Sequence, residues 1–359
     1  MRWLYRQYNR ALRLLRRLFP SSLAISKFVQ EHFLYVPERP SMVSSVYGPI
    51  YAPYYHCHAP FEGKPDFYNR DGKPLKGFFL RDAISAHLPY AGSKYFFWDH
   101  FNIGLDTHFY AHGAMLETMG HPARRYGMFT ESEGIIPEQY AIFKRYPGLE
   151  KDFDAVFTYS TELLEKLPNA RFFPFCASVW YANEVFEGKA DKTSISELAF
   201  QDKDRDLSMI CSPKRLTPMQ LIRHRFAGEA KRSGKVEVFG GFDGGLRLPF
   251  KSQALRRYRF HIVVENDLRP FYFTEKVMDC FASMTVPVYL GASRIGEFFN
   301  QDGIITISQN TPMKEILKQC TEQEYLTRLP AVQDNFRRVL PYAICAPAQA
   351  RPHCAVIAA

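Results

Sequence analysis

The chain has 359 residues, enough for two domains of ordinary size, and its formal net charge of +9 favours acidic partners such as nucleotide phosphates or anionic lipid. No run reaches the roughly eighteen apolar residues that a membrane span needs. Six arginines among the first twenty residues argue against a signal peptide. Seven scattered cysteines without a CxxC pair exclude a disulfide framework and indicate reduced thiols. These features predict a cytoplasmic protein.

Residues 1–20 are predicted to form a basic amphipathic helix. Within residues 1–19, apolar side chains recur at helical spacing between arginines, and Trp3 and Phe19 are suited to a lipid–water interface. We therefore expect this segment to bind an anionic membrane surface from the cytoplasmic side. The alternative is a helix that packs on its own protein and leaves its arginines in water.

Residues 21–182 are predicted to form the first domain, in which two short strands end in polar residues. One strand runs to Phe129 and is followed by Glu131, Ser132 and Glu133, and another lies between residues 153 and 160. A carboxylate after a strand is a candidate general base, but acidic residues are also common at the start of a helix. Both interpretations of Glu131 stay open on these residues alone.

Three patterns are reminiscent of metal sites but are assigned otherwise. The His-Cys-His triplet at 56–58 places adjacent ligands on opposite sides of an extended chain. His108 and His112 lack the glutamate of a metalloprotease signature and are interpreted as core or polar histidines. The Asp-Arg-Asp triplet at 204–206 lies in the charged segment 183–206, which we predict to be a connector. No metal site is predicted.

Residues 207–340 are predicted to form the second domain, and residues 341–359 a tail rich in alanine and proline. The domain begins with a strand at 207–211, a helix at 218–233 that carries Arg223, and a strand that runs into glycines from Gly240. Glycines after a strand can let backbone amides approach a phosphate, but their spacing here matches no dinucleotide or P-loop motif.

Residues 258–307 have the pattern of a strand–helix–strand crossover. An apolar run ends abruptly at Glu265, a helical period starts at Thr274, and a second apolar run closes at Gly291. Such a unit is right-handed and parallel, and its ligands gather beyond the carboxyl ends of the strands. Glu265, Asn266 and the start of the helix are therefore expected at one edge of a sheet.

The first turn of this helix contains an unexpected cation. Thr274 is a good N-cap residue, and Glu275 suits the positive end of the helix dipole, whereas Lys276 does not. A lysine fits this position when an anion lies in front of the helix, so the helix start is a candidate phosphate site. The alternative is that Lys276 is a solvated surface residue.

Residues 258–307 carry a signature that resembles that of the α-1,3-fucosyltransferases, glycosyltransferase family 10. The resemblance extends more weakly upstream to residue 125, where Glu131 and Ser132 are similar to the Glu-Ser pair of the family's acceptor domain. The residues that match in order and spacing are Glu265, Asn266, Tyr272, Thr274, Glu275, Lys276, Val286, Pro287, Val288 and Gly291.

The resemblance implies an α/β fold of the GT-B-like type, in which two Rossmann-like domains face a central cleft. It implies that the C-terminal domain holds GDP-fucose and that the N-terminal domain presents a glycan acceptor. L-fucose would pass with inversion to an acceptor hydroxyl, in an α-1,3 linkage on a cell-surface polysaccharide or lipid-linked glycan. No cofactor, divalent metal or nucleic acid is implied.

The family roles transfer to matching positions of this sequence. Glu131 would be the general base, Glu275 would face the sugar, and Lys276 would bind the pyrophosphate together with Arg223. The implied donor-site residues are Arg223, Glu265, Asn266, Tyr272, Thr274 and Lys276. Two other functions stay open: a GT-B transferase for a different nucleotide sugar, and a catalytically silent, membrane-associated glycan-binding protein.

Overall fold

The structure of the protein is a computed structural model. It describes residues 75–80, 96–99, 104–118, 122–129, 131–174, 203–245, 248 and 251–342, and four positions near the start of the chain. The described chain divides into two compact units, one ending at Phe173 and the other beginning at Pro174. Most of the predicted connector and of the predicted tail lies outside the described residues.

Four positions of the predicted N-terminal helix are described, and all four are helical and exposed. They are Ala11, Leu14, Leu15 and Leu18. The three leucines are 54%, 38% and 61% exposed, so each keeps a substantial apolar surface in contact with solvent. Within the described part of the sequence, no helix is both long and apolar enough to cross a membrane.

The first unit contains a six-stranded sheet in the order β2-β1-β3-β4-β5-β6, with every neighbouring pair parallel. Its strands are β1 (Leu75–Leu80), β2 (Phe96–Asp99), β3 (Thr107–Ala111), β4 (Arg124–Met128), β5 (Ala155–Thr158) and β6 (Ala170–Phe172). The described helices of this unit are α1 (Pro137–Tyr140), α2 (Ile142–Arg145) and α3 (Thr161–Lys166).

The central strands of this sheet are apolar on both faces. All four residues of β5 are buried, as expected for a parallel strand between two layers. Aromatic side chains pack across neighbouring strands, with the Tyr126 ring centroid 5.1 Å from that of Phe109 and 5.7 Å from that of Phe157. These contacts join β3, β4 and β5 on one face of the sheet.

The second unit contains a five-stranded parallel sheet in the order β11-β10-β9-β7-β8. Its strands are β7 (Arg205–Ile210), β8 (Glu237–Phe239), β9 (Tyr258–Val264), β10 (Val286–Leu290) and β11 (Ile305–Thr306). Its helices are α4 (Pro218–Ser233), α5 (Glu275–Ala282), α6 (Met313–Gln319) and α7 (Glu322–Val339). The predicted α/β class, with a parallel sheet in each of two units, is confirmed.

The order of this second sheet reverses direction between β7 and β9. The next strand in the chain, β8, lies on one side of β7, whereas β9, β10 and β11 follow one another on the other side. In such doubly wound sheets a crevice opens at the reversal, outside the carboxyl ends of the strands, and ligands bind there. The residues that follow β7 and β9 are therefore the natural place for a site in this unit.

Gly291, directly after β10, is required by a close approach of side chains. A methyl group at this position would meet the Tyr289 ring and lie 2.7 Å from Cγ of Glu265. Both neighbours are buried, so neither can move away cheaply. The glycine therefore lets Glu265 occupy the end of β9.

We expect Gly291→Ala to lower the free energy of unfolding by about 1–3 kcal/mol, because the new methyl group overpacks a buried region. Urea denaturation of the purified protein measures this change. The matched control is Gly228→Ala in α4, where the nearest atom to the new Cβ is 3.4 Å away and belongs to the flexible Arg232 side chain. There we expect no loss, or a gain of up to about 1 kcal/mol from helix propensity. Equal losses in both variants would contradict the packing explanation.

Candidate functional site

Glu265 lies at the carboxyl end of β9 and is held by the start of α5. Its side chain is fully buried. Oε1 accepts a hydrogen bond from the backbone N–H of Thr274 at 2.9 Å, and Oε2 accepts one from the Thr274 hydroxyl at 2.7 Å. Burial raises the pKa of Glu265, while the Lys276 ammonium acts in the opposite direction. The carboxylate therefore fixes the helix start to the end of the strand.

Thr274 is the N-cap of α5, as the sequence predicts. Its hydroxyl donates to Glu265 and accepts from the backbone N–H of Lys276 at 3.2 Å and from the Lys276 ammonium at 3.0 Å. One donor and two acceptor positions are all that a threonine hydroxyl offers. This saturated hydroxyl holds both the first turn of the helix and the lysine side chain in place.

Lys276 lies among acidic and polar groups but keeps access to solvent. Its Nζ is 3.2 Å from Oε1 of Glu275 and 3.6 Å from Oε2 of Glu265, and the side chain is 25% exposed. The positive end of the α5 dipole adds positive potential at the same place. Lys276 is thus neither fully solvated nor fully buried, and an anion at this place would share its ammonium with the two carboxylates.

Glu275 is placed between two lysines. Its Oε1 is 3.2 Å from Nζ of Lys276 and 3.6 Å from Nζ of Lys251, and its side chain is 13% exposed. Burial alone would raise the pKa of Glu275, but the two ammonium groups outweigh burial and lower it to about 2. The side chain therefore stays ionised at neutral pH beside the helix start.

Lys251 is a site residue that the sequence pattern does not reveal. Its Nζ is 2.9 Å from Oδ2 of Asp279, whose side chain is only 1% exposed. The lysine precedes β9 in a short 3-10 turn, and neither a motif nor a helical period marks it. Through Asp279 and Glu275 it orients the side of α5 that carries Lys276.

Arg223 reaches from α4 to the end of β9, so it lies at the reversal in strand order. Its Nε donates to the carbonyl oxygen of Val264 at 2.8 Å, and its Nη2 donates to the same oxygen and to Oδ1 of Asn266 at 2.8 Å. Asn266 is therefore oriented by Arg223. The guanidinium has a further amino group, Nη1, that these bonds do not use.

Tyr272, the other predicted donor residue, is 1% exposed. It lies in the loop between β9 and α5, and its backbone N–H donates to the carbonyl oxygen of Arg269 at 3.0 Å. Its assignment to the donor site stays a prediction. The carboxyl edge of the second sheet brings together the other predicted site residues of this unit: Arg223, Glu265, Asn266, Thr274, Glu275 and Lys276.

Glu131 lies in the first unit, after the carboxyl end of β4. Its Oε1 accepts a hydrogen bond from the backbone N–H of Ser132 at 2.6 Å, and its carbonyl oxygen accepts one from the Tyr140 hydroxyl at 2.8 Å. Helix α1 begins only at Pro137, so Glu131 is not a first-turn residue of that helix. The interpretation as a helix-start carboxylate is therefore wrong, whereas the role as general base stays a prediction.

Two of the metal-like patterns fall on described residues. His108 and His112 are buried, and Nδ1 of His108 is 2.8 Å from the Tyr110 hydroxyl, in agreement with core histidines. Asp204 pairs with Arg257, just before β9, and Asp206 pairs with Arg259 within β9. Strand β7 already begins at Arg205. The acidic triplet thus belongs to the start of a strand rather than to a solvated connector. The triplet at 56–58 lies outside the described residues.

Comparison with known proteins gives a family match within the second unit. Residues 201–338 match the family model described as "Glycosyltransferase family 10 (fucosyltransferase) C-term". This range contains the whole signature of residues 258–307, so the predicted resemblance is confirmed there. The weaker resemblance between residues 125 and 200 lies outside the match.

Similar proteins are known from bacteria and mammals. Alpha-(1,3)-fucosyltransferase FucT of Helicobacter pylori is 30% identical over 63 residues, which cover 18% of this chain and 13% of the relative. The fucosyltransferase FUT3 of Bos taurus is 37% identical over 75 residues, or 21% of this chain and 20% of the relative. The solved structure "Crystal Structure of alpha1,3-Fucosyltransferase with GDP-fucose" is 15% identical with a TM-score of 0.44, and the match covers 75% of this chain and 89% of that one. The chain spans a quarter or less of the curated relatives it matches.

We expect Lys251→Met to lower the free energy of unfolding at pH 7 by about 1–3 kcal/mol, because Asp279 loses the cation beside it. Since the lysine is partly exposed, the loss should stay below that of a fully buried ion pair.

The same variant should change how stability depends on pH. The pKa of Glu275 is about 2, below its ordinary value of 4.5, so its ionised form contributes stability that is present above pH 4.5 and is lost toward pH 2. The variant raises this pKa and should lose less stability over that window. Urea titrations from pH 2 to 7 measure both effects.

Two further variants separate charge from packing. Lys251→Arg keeps the cation and should retain most of the stability. Asp279→Asn, added to Lys251→Met, should recover part of the loss, because the buried carboxylate is then no longer charged. A loss that Asp279→Asn leaves unchanged would mean that Lys251 acts through packing alone.

Proposed function

We propose, on the premise that residues 201–338 are a C-terminal domain of glycosyltransferase family 10, that this protein transfers L-fucose from GDP-fucose to a hydroxyl of a glycan. The reaction inverts the anomeric centre, and the product is an α-1,3 linkage on a cell-surface polysaccharide or lipid-linked glycan. The donor binds at the start of α5, and no metal ion or other cofactor takes part.

One observation carries the proposal: the start of α5 combines a partly exposed lysine with the positive end of a helix. Lys276 is 25% exposed and is held by the Thr274 hydroxyl at 3.0 Å. Helix N-termini and lysines both favour phosphate groups, so a diphosphate is the natural ligand here. The position beyond β9, next to the reversal of strand order, agrees with the usual location of nucleotides in such sheets.

The same groups suit the chemical step. As the bond between fucose and diphosphate breaks, negative charge develops on the leaving diphosphate, and Lys276 stabilises that charge. Nη1 of Arg223 supplies a second cationic donor from the other side of the reversal. Glu275 stays ionised and can stabilise the positive charge that develops on the sugar ring. Lysine and arginine can thereby perform the role that a metal ion has in other transferases.

Inversion needs a base that removes the proton of the acceptor hydroxyl as the diphosphate leaves from the opposite face. We assign this role to Glu131, whose carboxylate follows a strand of the first unit. A positioned general base contributes roughly 100- to 10,000-fold to the rate.

We also propose that the protein is cytoplasmic and bound to the membrane surface through residues 1–19. Exposure of Leu14, Leu15 and Leu18 supports this proposal, because leucines on the apolar side of a basic helix favour the lipid–water interface. Such attachment would bring the enzyme close to lipid-linked acceptors.

A donor screen tests the substrate. We expect release of GDP from GDP-fucose in the presence of acceptor glycans and continued release in EDTA. Lys276→Met should lower kcat by about 100- to 1,000-fold, because a charge-stabilising donor is lost from the transition state. Lys276→Arg is the matched control and should retain more activity.

Turnover of another nucleotide sugar, with none of GDP-fucose, would show that the donor assignment is wrong. Glycan binding without turnover of any nucleotide sugar would favour a silent glycan-binding protein. Loss of activity in EDTA that Mg²⁺ or Mn²⁺ restores would contradict the metal-free mechanism.

Glu131→Gln tests the general base. We expect kcat to fall by about 100- to 10,000-fold while the dissociation constant of GDP-fucose stays within about twofold of the parent value, because the base acts on the acceptor rather than on the donor. Glu133→Gln is the matched control, since it changes a neighbouring carboxylate of the same loop. Equal losses in the two variants, or a loss of donor binding in Glu131→Gln, would exclude Glu131 as the base.

A further inference from the structure

The solvent-facing side of α4 forms a cationic surface with two shallow depressions. We define the cationic surface by the basic residues that line them: Arg215, His224, Arg225, Arg232, Lys235, Lys314 and Lys318. Glu229 is the only acidic residue in the lining of the two depressions, and it already lies 3.7 Å from the guanidinium of Arg225. The lining of the two depressions therefore carries more basic than acidic side chains.

The first depression, of about 420 Å³, lies between α4 and the turn that follows β8. Gly228 has no side chain, and this leaves an open floor between Arg225 and Arg232 along one stripe of the helix. The Phe242 ring forms the opposite wall and packs against His224, with ring centroids 5.2 Å apart. Cations thus surround an apolar floor.

The second depression, of about 540 Å³, lies between the end of α4 and α6 and shares Arg232 with the first. Lys235, Lys314 and Lys318 are exposed there, around the apolar side chains of Met313 and Leu317. Among the described residues, none of these three lysines forms an ion pair. Two depressions that share a residue make one continuous surface.

Exposed leucines lie at the edge of this surface. Leu221 lines the first depression and is 53% exposed, and Leu216, next to Arg215, is 76% exposed. The stripe from Leu221 to Arg232 extends roughly 16 Å at 1.5 Å per residue. A surface of this length, with cations around protruding leucines, matches a basic amphipathic helix at a lipid interface.

On α4, the cationic surface and the candidate donor site lie on opposite sides of the helix. Arg223, Phe226, Ala227 and Ala230 are buried on the opposite side of α4, toward the sheet. The donor-site groups are reached through that inner side, by the bonds from Arg223 to Val264 and Asn266. The outward residues of α4 therefore have no part in the proposed chemistry.

We propose that the cationic surface binds an anionic phospholipid bilayer, so that the C-terminal unit has a membrane contact of its own in addition to residues 1–19. Cations attract the lipid head groups, and Leu216 and Leu221 enter the interface between head groups and acyl chains. The shallow form of both depressions suits a broad surface better than an enclosed small ligand.

Vesicle sedimentation of the full chain tests this contact. Arg232→Gln combined with Lys318→Gln should weaken partition onto vesicles of phosphatidylcholine and phosphatidylserine by about 25-fold, at about fivefold per cation. The matched control is Arg337→Gln combined with Arg338→Gln, which removes the same charge from exposed positions of α7 and should change partition less than twofold. Residues 1–19 contribute equally to all variants, and the readout requires no donor or acceptor.

The leucines distinguish a bilayer from a soluble polyanion. Leu216→Ser combined with Leu221→Ser should weaken vesicle binding severalfold and leave the affinity for heparin unchanged. The proposal is overturned if vesicle binding falls equally in the variant without Arg232 and Lys318 and in the control without Arg337 and Arg338. Net charge alone would then explain binding. It is also overturned if the leucine variant binds vesicles as well as the parent does, which would point to a polyanion. Unchanged thermal unfolding of the variants verifies that each one is folded.

Discussion

The buried carboxylate of Glu265 joins the end of β9 to the start of α5, and the candidate donor site depends on this connection. A carboxylate with no exposed surface is tolerated because Thr274 donates two hydrogen bonds to it and Lys276 lies 3.6 Å away. Hydrogen bonds to a charged group contribute about 1.5–3 kcal/mol each, so the helix start is firmly held. Gly291 leaves the room that this carboxylate occupies.

The charges around α5 divide into those that hold the helix and those that remain available to a ligand. Glu265 and Asp279 are buried and are used in fixing the helix to its surroundings. Glu275 is compensated by Lys276 and Lys251, so it stays ionised beside the helix start, where we propose that the sugar binds. An incoming diphosphate would compete with these carboxylates for Lys276, and this competition suits the proposed site, from which GDP would have to leave after transfer.

The two sides of helix α4 face different surroundings, the sheet on one side and solvent on the other. Its inner side sends Arg223 to the carbonyl oxygen of Val264 and to Asn266, while its outer side carries Leu221, Arg225 and Arg232. The sixteen residues of the helix therefore separate the proposed chemistry from the proposed membrane contact. Either property can change in a variant without the other, and the two can be measured apart.

The sequence alone determined the crossover of residues 258–307 and the cap at Thr274, because strand period, helix period and capping depend on neighbouring residues. The helix of α4 at residues 218–233 was also predicted with its observed bounds. Only the tertiary structure decided that Lys251 pairs with Asp279, that Arg223 orients Asn266, and that Glu265 is buried under Thr274. These partners are 28, 43 and 9 residues apart in the chain. Contacts of that kind follow from how β7, β9 and α5 pack together, and no local pattern records them.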